Sequence, residues 1–201
     1  MDEAEFRQLL AVGHELSGIE FKSGGSRSEA SLLPKVAKAA MAMANRRGGG
    51  KIVVGVREHG ERLIAEGIAA ADLGSWQYDA VVGAMARYVD PHVEVRVERL
   101  TVDTLDFIVV LVEEFQDVPV LCKRDYPGEL RAGACYVRRR GRTETTEIPN
   151  HAEMRELLDL AVEKGVRRFL QMASRAGISG SAVALQTNES QYDEQLEDFD
   201  A

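Results

Sequence analysis

The chain has 201 residues, of which 45% are hydrophobic and 29% are charged. This composition is typical of a soluble globular protein. The longest strongly apolar run, residues 107–112, is far too short to cross a bilayer, which excludes a membrane-spanning protein. Residues 1–5 are acidic and have no apolar segment of the signal-peptide kind. We therefore expect a cytoplasmic protein that makes no use of a membrane.

The net charge of −8 is unevenly distributed along the chain. Residues 188–201 hold six acidic residues and neither lysine nor arginine. Subtracting those six charges leaves −2 for residues 1–187. Because nucleic-acid binding depends on local clusters of cations, a nearly neutral body is compatible with a strongly basic face.

Hydrophobic spacing predicts the elements of the first third of the chain. Apolar residues at helical spacing predict a short helix over residues 2–12, and a short strand follows over residues 19–22. A second helix is predicted to begin after Ser31 and to end at the glycines 48–50. Residues 51–56 then predict a buried strand.

In the remaining two thirds, strands are predicted to alternate with two longer helices. A turn at residues 58–61 is predicted to lead to the first of these strands. The predicted strands cover residues 62–65, 93–97, 107–112 and 134–138, and the third of them is central in its sheet. The predicted helices cover residues 75–89 and 152–172, with Gly165 as a candidate break in the second.

Three consecutive glycines, Gly48, Gly49 and Gly50, leave a backbone without side chains that a phosphate group can approach closely. Arg46, Arg47 and Lys51 flank them with cations that suit phosphate oxygens. Two interpretations stay open at this point. The glycines either contact phosphate or simply end a helix that leads into a strand.

A second cluster of cations follows the strand predicted over residues 134–138. It consists of Arg138, Arg139, Arg140 and Arg142. A run of charges is often only a solvated surface, and the alternative here is contact with nucleic-acid phosphates. Because phosphate contacts carry no information about the bases, such binding is expected to have little sequence specificity.

These segments together resemble the Schlafen AlbA-type family of nucleic-acid-binding domains. The resemblance is carried by Glu15, residues 20–22, residues 42–45 leading into 48–50, residues 52–56 and residues 136–143. It implies a single α+β domain with a mixed sheet and packed helices, which we expect over residues 1–176. A disordered, flexible acidic tail is expected over residues 177–201.

The resemblance also implies that the arginine strand lies beside the glycine turn, so that their cations form one basic face. We therefore interpret the chain as a protein that binds DNA or RNA, and we assign no cofactor to this function. The predicted contact residues are Lys22, Arg46, Arg47, Gly48, Gly49, Gly50, Lys51, Arg138, Arg139, Arg140 and Arg142.

An alternative function implied by the resemblance is a metal-dependent endoribonuclease. In Schlafen proteins the equivalent positions resemble a three-carboxylate RNA-cleaving site, and the matching catalytic and metal-binding residues here are Glu15, Glu20 and Glu58. Such carboxylates would converge on Mg²⁺ or Mn²⁺, which activates water and stabilises the leaving oxygen. The other interpretation is that Glu20 pairs with Lys22 or an arginine, and that Glu15 is merely solvated.

Two further predictions concern protein partners. Schlafen proteins pair two such lobes into a clamp, whereas this chain has one, so the resemblance implies a homodimer whose two faces act together. The tail alternates acids with Tyr192, Leu196 and Phe199. It is interpreted as a solubilising end, a shield for the domain's own basic face, or a docking motif that would make the chain an adaptor.

Overall fold

The computed structural model describes residues 1–13, 15–29, 31–60, 62–139 and 144–177. The chain divides into two compact units, Met1–Ala161 and Val162–Ala201. The predicted boundary between a domain and an acidic tail at residue 177 remains a prediction, because residues 178–201 lie outside the described residues.

Helices and strands are interspersed along the first unit. Its first six elements are α1 (Glu3–Val12), β1 (Ile19–Lys22), α2 (Leu32–Ala44), β2 (Gly50–Val54), β3 (Val56–His59) and β4 (Arg62–Ala65). The next are α3 (Ala70–Leu73), a 3₁₀ helix (Gly74–Trp76), α4 (Tyr78–Met85), β5 (Val89–Asp90), β6 (Val95–Val102) and β7 (Leu105–Val112). The last are β8 (Leu121–Cys122), β9 (Tyr136–Arg138), β10 (Thr145–Glu147) and α5 (His151–Arg175), which continues into the second unit.

The largest sheet of the described residues has four strands in the order β1-β2-β7-β6. β1 and β2 are parallel, whereas β7 is antiparallel to both of its neighbours, so the sheet is mixed. Three further pairs are β3 with β4, β5 with β8, and β9 with β10. The predicted α+β fold, with a mixed sheet and packed helices, is confirmed, and β7 is internal as its apolar run predicts.

Apolar side chains cover both faces of this sheet. On β2, Ile52 and Val54 belong to a cluster packed around α2, whereas Val53 points the other way and belongs to a second cluster. The second cluster contains Phe6 of α1 and Phe107 of β7, whose ring centroids lie 4.6 Å apart. Because successive strand residues face opposite sides, the apolar run of β2 serves both clusters.

The prediction of one helix over residues 75–89 is wrong, because two shorter helices occupy this segment. Trp76 lies in the 3₁₀ helix, is buried, and donates its indole N–H to the Gly25 carbonyl at 2.9 Å. Gln77 then has an extended backbone, which separates the 3₁₀ helix from α4. Tertiary burial of the tryptophan therefore overrides the helical pattern of the sequence.

The strand predicted over residues 51–56 is also divided. Gly55 has a φ of 109°, and a Cβ at this position would lie 2.8 Å from the Phe107 ring. β2 therefore ends before Gly55. The next strand, β3, includes Glu58 and His59, which were predicted to belong to a turn.

Helix α5 begins after Asn150, whose Oδ1 accepts hydrogen bonds from the backbone N–H groups of Ala152 and Glu153. It runs to Arg175 without the break predicted at Gly165. Its residues 162–175 belong to the second unit. Within the described part of the chain, no helix combines the length and the apolar character that a membrane span requires.

Candidate functional site

A buried ion cluster joins β9 to β1. The side chain of Arg138, on β9, is only 1% exposed. Its Nη2 donates to Oε2 of Glu15 at 2.9 Å, and its Nη1 donates to Oε2 of Glu20 at 2.8 Å. Its Nη2 also donates to the Ile19 carbonyl at 3.0 Å. The guanidinium therefore bridges two carboxylates that lie before and within β1.

Strand geometry explains how these groups meet. On β1, Phe21 faces the apolar core, whereas the neighbouring Glu20 side chain points to the opposite face. Arg138 lies directly opposite Thr145 in the β9–β10 pair. Thr145 donates its hydroxyl to the same Glu20 oxygen at 2.7 Å, so both strands of the pair are bound to β1.

Burial changes the acidity of Glu15. Desolvation raises its pKa from the ordinary value of 4.5 to about 7. The backbone N–H of Phe21, which donates to Oε1 at 2.7 Å, and the Arg138 guanidinium both oppose this rise. Because desolvation is the largest effect, Glu15 titrates near neutral pH.

The three carboxylates of the predicted metal site line one groove, which we call the carboxylate groove. It has a volume of about 590 Å³ and contains Glu15, Glu20 and Glu58 together with Lys22 and Arg138. All three acids therefore border one cavity. Glu58 is exposed on β3, whereas Glu15 and Glu20 are buried.

These residues do not fit a divalent metal ion. Glu20 binds Lys22 through Oε1 and Arg138 through Oε2, so cationic side chains already engage both of its oxygens. Glu15 is likewise engaged by Arg138 and by the Phe21 N–H. Among the described residues, no group of three or more histidine, cysteine, aspartate or glutamate side chains is arranged to hold a metal. These contacts therefore disagree with Glu15, Glu20 and Glu58 as metal ligands. The interpretation that Glu20 pairs with Lys22 and an arginine agrees with the structure, whereas the interpretation that Glu15 is merely solvated is wrong, because Glu15 is buried.

The glycine turn after α2 is explained largely by packing. Gly49 has a φ of 67°, and a Cβ there would lie 2.1 Å from the Val112 carbonyl oxygen. At Gly50 a Cβ would lie 2.2 Å from the sulfur of Met43. Gly48 has open space around it, and its N–H donates to a carboxylate oxygen of Glu114 at 2.6 Å. Phosphate contact at these three glycines remains a prediction.

Arginines lie on both sides of this turn, of which Arg47 is exposed whereas Arg46 and Arg139 are partly buried. Arg46, Arg47 and Arg139 line a groove of about 620 Å³, which we call the arginine groove. Arg46 also lines a smaller groove of about 330 Å³, the glycine groove, together with Lys51 and residues 48–50. The end of β9 and the glycine turn therefore lie side by side, as the resemblance implies.

Acidic residues share the arginine groove. Glu153, Glu156 and Asp159 project from the first turns of α5 and line it with the arginines. Arg139 is 36% exposed and lies 3.9 Å from Glu144. The groove is thus a mixed surface whose cations face carboxylates of the same unit.

Several residues that were predicted to contact nucleic acid instead pair with acidic side chains or lie outside the described residues. Arg138 is buried and paired, so the expectation that it offers its guanidinium to phosphate needs correction. Lys22 lies in the carboxylate groove, paired with Glu20. Lys51 forms an ion pair with Glu5. Arg140 and Arg142 lie outside the described residues.

Two residues of this region, Arg96 and Asn45, were not among the predicted site residues. Arg96 of β6 lines the glycine groove with an exposed side chain, and its alternation with valines was a usable signal. Asn45 is buried at the end of α2, and its Nδ2 donates to the carbonyls of Val120 and Tyr136 at 2.8 and 2.9 Å. Asn45 therefore fixes the start of β9 beside the turn, which local sequence does not reveal.

Comparison with known proteins assigns this fold to a family. The sequence pattern of the family described as Schlafen, AlbA_2 matches residues 15–147, a span that includes Glu15, Arg138 and Thr145. No curated protein matches the chain.

Two solved structures are similar to this chain. One is the solution NMR structure of the N-terminal domain of a Nitrosomonas europaea protein named as related to the ATP-dependent DNA helicase RecG. It has 19% identity and a TM-score of 0.50, covering 75% of this chain and 98% of that one. Another is the DIP2311 protein from Corynebacterium diphtheriae, with 16% identity, a TM-score of 0.47, and coverage of 72% of this chain and 26% of that one. The chain thus spans about a quarter of the DIP2311 protein.

Proposed function

Because the chain belongs to the Schlafen, AlbA_2 family, we propose that it binds DNA or RNA through Arg46, Arg47 and Arg139. The observation that carries this proposal is the position of Arg46, which lines the arginine groove and the glycine groove together. A backbone that follows the two grooves would meet cations from both. The helicase-related name of a protein with this fold agrees with a nucleic-acid-related function.

The chemistry of these side chains favours phosphate over bases. Guanidinium groups form paired, charge-assisted hydrogen bonds with phosphate oxygens. Contacts of this kind fix the position of a nucleic acid but do not distinguish sequences. We therefore infer binding with little sequence specificity and a marked dependence on salt.

A charge-reversal experiment tests the proposal. The variant R46E/R47E/R139E should lose affinity for DNA and RNA by at least tenfold, measured by fluorescence anisotropy with labelled oligonucleotides. Each phosphate that the variant no longer neutralises should reduce the slope of log affinity against log salt by about 0.9 on duplex DNA. The matched control is R62E/R87E/R124E, because these arginines are exposed and line none of the three grooves. Equal loss of affinity in both variants would show that overall charge, and not this face, governs binding.

A metal-dependent ribonuclease is not favoured by the described residues. Of its three candidate carboxylates, Glu15, Glu20 and Glu58, the first two are engaged by Arg138 and Lys22. Incubation of structured RNA with the protein and Mg²⁺ or Mn²⁺ is expected to leave the RNA intact.

The homodimer, the cytoplasmic location and the adaptor role of the tail are further parts of the proposal. Two copies would bring two arginine faces to one nucleic acid, which raises the overall affinity through effective concentration. Sedimentation velocity tests the dimer, and cell fractionation tests the location. Pull-down with and without residues 188–201 tests the adaptor role.

A further inference from the structure

The second half of α5 exposes an apolar face. Val162, Val166, Phe169, Leu170 and Met172 are between 51% and 64% exposed. They recur at intervals of three and four residues, so they form one broad stripe on the helix. An exposed apolar stripe of this kind marks an interaction surface.

The charges on the same segment are mostly positive. Lys164, Arg167, Arg168 and Arg175 lie between residues 162 and 175, where Glu163 is the single acid. Glu163 pairs with Arg167 at 2.8 Å. A segment that complements this surface must therefore combine apolar side chains with carboxylates.

The acidic end of the same chain has that composition. Residues 188–201 contain six acids and no lysine or arginine. Tyr192, Leu196 and Phe199 are spaced by four and three residues, the spacing that places side chains on one face of a helix. These residues lie outside the described part of the structure.

The chain length allows the two segments to meet. Helix α5 is followed by Gly177, whose φ of 73° is typical of a helix end. Residues 178–191 can extend over about 45 Å at about 3.3 Å per residue. The apolar face over residues 162–175 is only about 20 Å long at about 1.5 Å per residue. We propose that residues 188–201 bind the apolar and basic face of α5 in the same molecule.

In this arrangement Tyr192, Leu196 and Phe199 cover the apolar stripe, and the acids between them face Arg167 and its basic neighbours. The tether keeps the tail at a high effective concentration, on the order of millimolar for a short flexible linker. The segment proposed to cover the face of α5 is the chain's own tail. The experiment must distinguish this arrangement from one in which a second copy of the chain covers the same face.

Hydrogen exchange on the full chain tests the proposal. The variant Y192S/L196S/F199S should increase amide exchange over residues 162–175 by at least tenfold, because the helix loses its cover. Exchange over β7 should be unchanged, which shows that the first unit remains folded. The matched control, V183S/L185S, removes apolar side chains from the linker and should exchange like the wild type. Equal exchange over residues 162–175 in wild type and Y192S/L196S/F199S would overturn the proposal.

Reversal of charges on α5 and on the tail provides a second test. R167E/R168E should raise the exchange rate over residues 162–175, and the added changes E194K/E197K should restore it. A combined variant that exchanges as fast as R167E/R168E would overturn the ionic part of the proposal. Protection in the wild type should also be independent of protein concentration. Protection that rises with concentration would assign the cover to a second copy and overturn the intramolecular arrangement.

Discussion

The Nη2 atom of Arg138 lies 2.9 Å from Oε2 of Glu15, although 123 positions separate the two residues in the chain. The same guanidinium binds Glu20, so one buried cation bridges two carboxylates. Arg138 thus holds the end of β9 against β1. Arg139, the next residue, lines the arginine groove because its neighbour is fixed in this way.

Removal of Arg138 should therefore destabilise the fold more than it changes surface charge. R138M leaves Glu15 and Glu20 buried without their shared partner, which is expected to lower the free energy of unfolding by about 3–5 kcal/mol. R139M is the matched control, since Arg139 is partly exposed and makes a long ion pair at 3.9 Å. R139M is expected to lower the free energy of unfolding by about 0.5 kcal/mol. Urea unfolding of both variants measures the difference, and similar midpoints would contradict a structural role for Arg138.

Glu15 should make stability depend on pH in a defined direction. Its pKa rises from 4.5 to about 7 on folding, so the folded state binds the proton more tightly than the unfolded state. The contribution of Glu15 is fully present below pH 4.5 and is lost as the pH rises through about 7.

The variant E15Q removes this titration and retains an acceptor for the Phe21 N–H. Urea unfolding at several pH values between 4.5 and 8 should show wild-type stability falling relative to E15Q as the pH increases. Parallel pH profiles for the two proteins would mean that Glu15 has the same pKa in the folded and unfolded states.

The glycines of the turn should differ in their tolerance of alanine. G49A places a Cβ 2.1 Å from the Val112 carbonyl oxygen and adds the strain of a φ of 67°. Gly60 has a similar φ of 60° but open space, so G60A reports the backbone strain alone. We expect G60A to lower the free energy of unfolding by about 1–2 kcal/mol. G49A should lower it by several kilocalories per mole more, because of the clash. Thermal and urea unfolding compare them directly, and equal costs would show that strain alone explains Gly49.

The sequence predicted the elements whose signals are local. β1, α2 and β7 follow from apolar spacing and from the glycines that end α2. The division of residues 75–89 depends on where Trp76 is buried, and the division at Gly55 depends on the Phe107 ring. Both are tertiary contacts, so local periodicity could not reveal them.

The candidate site divides in the same way. The proximity of the glycine turn to the end of β9 could be predicted from the family resemblance. The burial of Arg138 and the partial exposure of Arg139 could not be predicted, because the acidic partners of Arg138 are more than one hundred residues away in the chain. In a run of arginines, sequence alone does not indicate which member is buried.

The acids of the arginine groove should oppose nucleic-acid binding. Glu156 and Asp159 are exposed on α5 and line the groove with Arg46 and Arg47. A phosphate that enters the groove meets these negative charges, so the variant E156Q/D159N is expected to bind DNA and RNA about fivefold more tightly at low salt. The difference should shrink as salt increases, because added ions screen exposed charges within about 10 Å at 0.1 M.

The matched control for this prediction is D79N/E94Q, which removes the same charge from exposed positions that line neither the arginine groove nor the glycine groove. Anisotropy titrations of wild type and both variants at 50 and 200 mM salt separate a local effect from a change in net charge. If D79N/E94Q tightens binding as much as E156Q/D159N, the acids of α5 act only through the total charge. A gain confined to E156Q/D159N would assign the phosphate path to the arginine groove, since at this salt concentration a charge acts mainly on groups within about 10 Å.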